Sequence, residues 1–484
     1  MSEISLSQIT SKLPPPWSED PLPEIREALS GQNGKLVILD DDPTGTQTVR
    51  GITVITRWDL PTLKDAFATE QNGFFILTNS RALAEADSIA LHQEILANLK
   101  EAAAGIPITI LSRSDSTLRG HFPAETDAID QVCGPYDLAV ISPFFEAGGR
   151  LTIGDTHYVA EDDTLVPAHE TPFAQDKVFG YSQSYLPAWV EEKSKGRISS
   201  ESAVSIDLNT IRSKGVDGVE ALLRNAHPGS VCIVNAIVQR DMEVFAAAAL
   251  RLELSGTRIL YRSAAALASA RLGIALQPPL EDGVGLVNTK SRALIVAGSY
   301  VPKTTEQLEP LQALDSIEKI ELDVAALLES DGETLVAELS EKVNRTLQAG
   351  QDVLLFTSRS LVSANDESSN LSIGTRVSQA LVEIVRNLQE SPRFIIAKGG
   401  ITSSDVATKG LEIRKATIIG QLIAGVPVWR SESGSRLALR GGLPFSSARL
   451  RGLPRKRRRP QRPPGSLPKD YRLPLSCTNA IVSN

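Results

Sequence analysis

The chain has 484 residues, of which 42% are hydrophobic and 22% charged, so it is long enough for two or three domains and too apolar for a wholly disordered protein. A net charge of −8 and an aromatic content of only 5% exclude a general nucleic-acid or membrane binder. The three cysteines form no Cys-x-x-Cys pair and no apolar run reaches membrane-spanning length, so we expect a cytoplasmic protein.

Short apolar runs recur along the chain, and each is followed by polar or glycine residues. Such runs are typical of strands buried on both faces of a parallel sheet. Helical stretches such as 82–100 and 333–349 lie between many of them. This alternation predicts an α/β fold with two domains, each a largely parallel sheet flanked by helices. The runs are LVIL (36–39), ITVI (52–55), FFIL (74–77), ITIL (108–111), LAVI (138–141), VCIV (231–234), ALIV (293–296), VLLF (353–356) and FIIA (394–397).

Composition divides the chain into five parts. Segment 145–205 has few strand runs, and we interpret it as an excursion from the first domain. The end of the chain carries 13 Lys and Arg against two Asp and Glu, with seven prolines, which predicts a disordered basic tail. The predicted parts are an N-terminal extension (1–34), a first domain (35–276), a linker (277–290), a second domain (291–429) and the tail (430–484).

Three consecutive carboxylates, Asp40, Asp41 and Asp42, follow the first buried strand and lead into a Pro-Thr-Gly turn. In parallel α/β sheets, ligands bind where loops leave the carboxyl ends of strands. Clustered carboxylates repel one another unless a cation, a donor or a shared proton compensates. The cluster therefore suits Mg²⁺ or the hydroxyl groups of a substrate, and an acidic turn that caps a helix is the simpler alternative.

Two further polar loops, NSRAL (79–83) and SRSDSTLRGH (112–121), follow buried strands in the same domain. If those strands are neighbours, the polar side chains of both loops meet at one sheet edge. Guanidinium groups bind carboxylates through paired hydrogen bonds, whereas Asp and Ser bind sugar-like hydroxyl groups. The loops predict a site for a small polyhydroxy acid, with solvated loop charges as the alternative; the candidates are Arg81, Arg113, Ser114, Asp115, Ser116, Arg119 and His121.

The second half of the chain contains two glycine turns between a strand and a helix, in LIVAGSYVPKTTEQL (294–308) and FIIAKGGITSSD (394–405). Glycines at such turns let backbone N–H groups approach phosphates, and the following helix favours negative charge at its N-terminus. Neither turn matches the P-loop or the spaced Rossmann glycines. Together they predict a nucleotide site in the second domain.

These segments resemble the four-carbon acid sugar kinase family over about residues 35–429. The resemblance rests on DDDPTG, RSDSTLRGHF, AGSYVPKTTEQL, and KGGITSSD followed by GQLIAGVPVW. Members phosphorylate threonate, erythronate or 3-oxo-tetronate with ATP, using an N-terminal substrate domain and a C-terminal nucleotide domain. The resemblance implies a cytoplasmic kinase with ATP and Mg²⁺ as cofactors and a small sugar acid as its partner, without nucleic-acid or membrane partners.

The resemblance also implies roles for individual residues. The sugar acid would be held by Asp41, Asp42, Arg81, Arg113, Ser114, Asp115 and Ser116. ATP would be held by Ser299, Gly399, Gly400, Ile401 and Thr402. The proton of the substrate hydroxyl would be accepted by Asp42 or Asp115, and the sequence does not choose between them.

Two alternatives remain open at this point. Asp40-x-Asp42-x-Thr44 after an apolar strand is also the aspartate-nucleophile pattern of haloacid-dehalogenase-like phosphatases. In addition, the family continues after Trp429 into a strand and a Gly-Asn-Val/Phe-Gly loop that contacts the nucleotide, whereas this chain has the arginine- and proline-rich tail. The second alternative is therefore a catalytically impaired relative that binds a sugar acid.

Overall fold

The short apolar runs form parallel strands in a computed structural model of the chain, which describes residues 4–43, 45–280, 293–298, 302–329, 332–359, 367–392, 394–423, 426–432 and 478–482. The chain forms two units, Met1–Leu280 with Arg414–Pro427, and Glu281–Ile413 with Val428–Asn484. Each unit has a largely parallel sheet flanked by helices, so the predicted fold class is confirmed.

The strands and helices follow one another along most of the described chain, as the alternation of runs predicts. The strands are β1 (Ile4–Ser5), β2 (Lys35–Asp40), β3 (Thr53–Ile55), β4 (Gly73–Leu77), β5 (Ile108–Arg113), β6 (Leu138–Ser142), β7 (Arg150–Ile153), β8 (Thr156–Glu161), β9 (Thr164–Pro167), β10 (Val204–Ile206), β11 (Ser230–Val234), β12 (Ile259–Ser263), β13 (Leu294–Ala297), β14 (Ile317–Leu322), β15 (Asp352–Thr357), β16 (Ile395–Lys398), β17 (Lys415–Ile423), β18 (Val426–Ser431) and β19 (Thr478–Val482). The α-helices are α1 (Leu6–Thr10), α2 (Leu22–Leu29), α3 (Leu60–Phe67), α4 (Glu85–Ala103), α5 (Ala124–Cys133), α6 (Leu186–Lys193), α7 (Gly215–Arg224), α8 (Gln239–Leu254), α9 (Ala265–Arg271), α10 (Pro302–Gln312), α11 (Val324–Glu329), α12 (Gly332–Gln348), α13 (Glu367–Arg386) and α14 (Gly400–Asp405).

The main sheet of the first unit has the strand order β10-β11-β6-β12-β5-β2-β4-β3-β17. Its described pairs are parallel except for β3 with β17, which is antiparallel. Strand β2 lies between β4 and β5, so the loops after all three strands leave the same edge of the sheet. Helix α4 buries Ile95 and Leu99 in a cluster with Val37 of β2 and Phe74 of β4.

A second sheet in the first unit contains strands of the predicted excursion, in the antiparallel order β1-β9-β8-β7. Strand β8 alternates half-buried and buried side chains, and β7 and β9 bury only two residues and one residue, so these strands lack the continuous apolar runs of the main sheet. Strand β1 comes from the predicted N-terminal extension, and it pairs with β9. The extension therefore packs as part of the first unit.

The second unit has a sheet with the strand order β18-β19-β16-β13-β15-β14. Strands β16, β13, β15 and β14 are mutually parallel, and β19 is antiparallel to β16. Residues 414–427, which the sequence analysis places in the second domain, pack with the first unit, where β17 pairs with β3. Most of the predicted linker and tail lies outside the described residues; within the tail, Thr478–Val482 forms β19. No helix in the described part of the chain is long and apolar enough to cross a membrane.

Candidate functional site

The carboxyl ends of β2 and β5 bring an aspartate and an arginine together. Strand register places Asp40 directly opposite Arg113, and Arg113 Nη1 lies 3.1 Å from Asp40 Oδ1. Both side chains are buried, and Asp40 Oδ2 has no hydrogen-bond partner among the described residues. Burial raises the pKa of the Asp40 carboxyl to about 7, and the charge of Arg113 limits that rise.

Asp41 lies at the centre of the site, between the loops that follow β4 and β5. Arg81 donates to its two oxygens, from Nη2 to Oδ1 at 2.6 Å and from Nε to Oδ2 at 3.0 Å. Arg113 Nη1 lies 3.5 Å from Oδ1, and the Ser114 hydroxyl lies 3.0 Å from Oδ2. Burial raises the pKa of the Asp41 carboxyl, and the charge of Arg81 opposes the rise. These donors stabilise a buried anion at the sheet edge.

Asp42 occupies the more accessible side of this cluster. Its side chain is 20% exposed, compared with 3% for Asp41, and its Oδ2 lies 3.4 Å from Arg81 Nη1. Its backbone oxygen lies 3.5 Å from Arg113 Nη1. Of the three consecutive carboxylates, Asp42 is therefore the one best placed to meet a molecule that arrives from solvent.

The carboxylate of Asp115, in the loop after β5, accepts hydrogen bonds from side chains of the same loop. Arg119 Nε donates to Asp115 Oδ2 at 2.7 Å, and the Thr117 hydroxyl donates to the same oxygen. Burial on its own disfavours the charged form, but the positive charges of Arg81 and Arg119 outweigh it and hold the pKa of Asp115 well below the usual range. A carboxylate with so low a pKa is a weak proton acceptor.

Two candidates of the same loop make other contacts. The backbone oxygen of Ser116 lies 2.8 Å from Nε2 of the buried His157, and burial lowers the pKa of His157 to about 4. His121 Nε2 lies 3.0 Å from the Leu83 carbonyl oxygen. We therefore find Arg81, Arg113 and Ser114 around Asp41, whereas Ser116 and His121 contact other parts of the unit.

The structure adds residues that the sequence analysis does not single out. Arg262, near the end of β12, donates from Nη2 to the Ser114 hydroxyl at 3.2 Å. Glu125 of α5 is buried and accepts hydrogen bonds from Ser80 at 2.6 Å and Ser88 at 3.0 Å. Ser80 precedes Arg81 in the chain, so Glu125 fixes the turn that presents Arg81. A signal for Arg262 exists in the sequence, since it follows the apolar residues 259–261 much as Arg113 follows a strand run.

The three consecutive aspartates form ion pairs with arginines and are not arranged around a cavity for a metal ion. Among the described residues, no group of three or more His, Cys, Asp or Glu side chains could hold a metal ion. Asp40, Asp41 and Asp42 each lie against Arg81 or Arg113 instead. The described residues of the first unit therefore form no cluster of three metal ligands, and each of the three aspartates is paired with an arginine instead. Alternating charges of both signs suit a ligand that carries hydroxyl groups and a carboxylate.

The glycine turn after β16 has the geometry of a close backbone approach. Gly399 has φ of +112°, and Gly400 begins α14. Residues other than glycine rarely adopt such a φ. A Cβ atom on Gly298, after the neighbouring strand β13, would overlap Thr402 Oγ1 and lie 2.8 Å from Leu381 Cδ1. The two turns thus meet at the carboxyl ends of β13 and β16. Ser299 lies outside the described residues, and of Ile401 the structure describes the backbone in α14.

Two family models match the chain, one in each half. A model described as the sugar-binding N-terminal domain matches residues 36–271. A model described as the nucleotide-binding C-terminal domain matches residues 294–443. The matched segments correspond to the parts of the chain that carry the charged cluster and the glycine turns.

Characterised relatives and a solved structure resemble the chain over most of its length. A D-erythronate kinase from Heliobacterium modesticaldum is 25% identical over 427 residues, covering 81% of this chain and 90% of that protein. A D-threonate kinase from Salmonella typhimurium is 26% identical over 309 residues, covering 62% and 67%. The crystal structure of Haemophilus influenzae protein HI1011 has a similar fold, with a TM-score of 0.54, 17% identity and coverage of 82% and 93%. The chain belongs to the four-carbon acid sugar kinase family.

Proposed function

We propose that the chain transfers the γ-phosphoryl group of ATP to a hydroxyl group of a four-carbon sugar acid, of the class of threonate, erythronate or 3-oxo-tetronate. The observation that carries the proposal is the anion Asp41, held by Arg81 and Ser114 at the edge of the sheet in the sugar-binding half. The names of the relatives support the same activity.

The residues of the first unit divide between binding and proton transfer. Asp41 accepts hydrogen bonds from substrate hydroxyl groups, and the fork of Arg81 is placed to share its charge with the substrate carboxylate. Asp42 is the proton acceptor that we favour, because it is the more exposed of the two candidates. Asp115 is held in its charged form by Arg119 and serves to order the loop after β5.

ATP is assigned to the second unit. The positive φ of Gly399 suits a turn whose backbone N–H groups approach phosphate oxygens, and the missing Cβ atom of Gly298 lets the turn after β13 pack closely against Thr402. Gly400, Ile401 and Thr402 follow at the start of α14, and Ser299 completes the proposed set by resemblance. Since the described residues provide no metal cluster, Mg²⁺ is expected to enter with the nucleotide, bound mainly by its phosphates.

The phosphatase alternative requires Asp40 to attack phosphorus, and the surroundings of Asp40 oppose this. Its side chain is buried against Arg113, and a Cβ atom on Gly45 would already overlap the Asp40 carboxylate. A phosphoryl group is far larger than a methyl group. Thr44, the third residue of that pattern, lies outside the described residues, as does most of the segment on which the impaired-relative alternative depends.

A coupled assay of ADP release tests the proposal. The full chain is incubated with ATP, Mg²⁺ and each four-carbon sugar acid in turn, and at least one acid is expected to stimulate ADP release. Arg81→Ala is expected to abolish that stimulation. Arg197→Ala, which removes a surface arginine paired with Asp127, is the matched control and leaves it intact. Release of phosphate from sugar phosphates without ATP, and no response to any acid, would favour the phosphatase.

A further inference from the structure

Arg262 is a buried arginine that holds the loop after β5. Its guanidinium group lies over the rings of Phe122 and Trp189, at 5.3 Å and 5.1 Å from the ring centroids. Its Nη2 donates to the Ser114 hydroxyl at 3.2 Å and to the Arg119 carbonyl oxygen at 3.3 Å. The charges of Glu125, Asp41 and Asp115 act on its guanidinium group. Its hydrogen bonds and its contacts with the two rings therefore define its position.

The environment of Gly120 shows independently that three groups converge here. A Cβ atom placed on Gly120 would lie 2.5 Å from Ser114 Oγ, 3.3 Å from Asp41 Oδ2 and 3.6 Å from Arg262 Nη2. Gly120 also has φ of +121°, a conformation that side-chain-bearing residues rarely adopt. The side chains of Ser114, Asp41 and Arg262 thus converge on one place, next to the backbone of Gly120.

The direction of the Ser114 hydroxyl proton follows from these distances. A serine hydroxyl has one proton, and two acceptors are within reach of it: Asp41 Oδ2 at 3.0 Å and the Arg119 carbonyl oxygen at 3.1 Å. Arg262 already donates to that carbonyl oxygen and to Ser114 Oγ itself. With Arg262 already donating to the Arg119 carbonyl oxygen, the charged Asp41 carboxylate is the stronger acceptor for the Ser114 proton.

We infer that Arg262 is a positioning residue for sugar-acid binding, which acts through Ser114 to supply Asp41 with a hydrogen-bond donor. The inference rests on the proposed function, in which Asp41 contacts the substrate. Without Arg262, the Ser114 proton can turn to the Arg119 carbonyl oxygen, and Asp41 keeps the two donors of Arg81 and the more distant Arg113. Removal of Arg262 and removal of the Ser114 hydroxyl should then have the same effect on the substrate.

A double-mutant cycle tests this relation. Wild type, Arg262→Gln, Ser114→Ala and the double variant are assayed in the full chain for the KM of the preferred sugar acid and of ATP. Each single variant is expected to raise the sugar-acid KM about 3- to 10-fold, the effect of one lost hydrogen bond, with the ATP KM unchanged. The double variant is expected to match Ser114→Ala within about twofold.

The pH profile gives a second readout that loss of stability does not reproduce. Asp41 faces the cations Arg81, Arg113 and Arg262 and the anions Asp40 and Glu125. Because a donor to the charged form lowers a carboxyl pKa, both single variants are expected to move the acidic limb of kcat/KM upward by about half to one pH unit. Arg212→Gln, which removes a buried arginine paired with Asp241, is the control: it lowers the unfolding midpoint and leaves this limb in place.

Several results would overturn the inference. Additive effects of the two substitutions, or an unchanged acidic limb in Arg262→Gln, would show that Arg262 does not act through Ser114, while sugar-acid phosphorylation by the wild type would still stand. A wild type that phosphorylates no sugar acid would overturn the proposed function and the positioning role with it. If Arg262→Gln does not fold, Arg262→Lys replaces it, because lysine keeps the charge and loses the planar fork, and the same non-additivity is expected.

Discussion

Replacement of Arg113 by alanine is expected to destabilise the first unit rather than to remove a contact with the substrate. Arg113 follows a strand, where its fork could bind a substrate carboxylate, but its side chain is 4% exposed and its Nη1 lies 3.1 Å from Asp40 Oδ1. The same nitrogen lies 3.5 Å from Asp41 Oδ1. Arg113→Ala would therefore leave a fully buried carboxylate without its cation.

The magnitude follows from that burial. Removal of one partner from a buried ion pair costs about 3–5 kcal/mol, because the other charge stays buried without compensation. Solvent screening does not reduce this figure here, since the Asp40 side chain is 1% exposed. Asp40 can escape the penalty by taking up a proton, and its pKa is already raised by burial to about 7. The loss should therefore be smaller at about pH 5 than at about pH 8.

The assay is denaturant unfolding of wild type and Arg113→Ala at both pH values. The matched variants are Asp40→Asn and the double variant Asp40→Asn with Arg113→Ala, in which no charge is left at either position. The double variant is expected to be more stable than Arg113→Ala at about pH 8. An Arg113→Ala protein of wild-type stability, with only the KM of the sugar acid raised, would refute this reasoning and make Arg113 a direct substrate ligand.

Three further predictions concern other residues. Gly399→Ala should weaken binding of an ATP analogue, measured by calorimetry, and leave sugar-acid binding unchanged, because the φ of +112° suits glycine. Asp42→Asn should lower kcat about 10²- to 10⁴-fold; a larger loss of kcat in Asp115→Asn would reverse our choice of proton acceptor. Because the pKa of Asp40 is raised in the folded state, its contribution to stability is present below about pH 4 and is lost as pH rises through about 7. The free energy of unfolding of Asp40→Asn should lack that decline with pH. An equal decline in Asp40→Asn would contradict this role of Asp40.

The parallel strands could be predicted because burial on both faces leaves a direct mark on the sequence. FFIL and VLLF, for example, fall within β4 and β15. Strand β8 buries alternate residues, and β7 and β9 bury only two residues and one residue, so their segments show no comparable run. Strand β1 pairs with residues about 160 positions away, and such a partner is not encoded in local periodicity.

The residue types of the site could be predicted, whereas their pairing could not. Strand β5 follows β4 in the chain but pairs with β2 and β12, and this neighbour relation decides that Arg113 lies opposite Asp40. A sequence shows that arginines and aspartates end the strands, but not which charges neutralise one another. Arg262 was missed for a related reason: its strand has three apolar residues, and its importance comes from contacts with Ser114 and Arg119.

Transfer of labelled phosphate tests the central claim most directly. The full chain is incubated with [γ-³³P]ATP, Mg²⁺ and either threonate, erythronate or 3-oxo-tetronate, and the products are separated by anion exchange. We predict that label appears in a phosphorylated sugar acid in proportion to the ADP formed, and that Arg81→Ala forms none. Label that appears only as inorganic phosphate, at a rate independent of the acid, would contradict the proposed kinase activity.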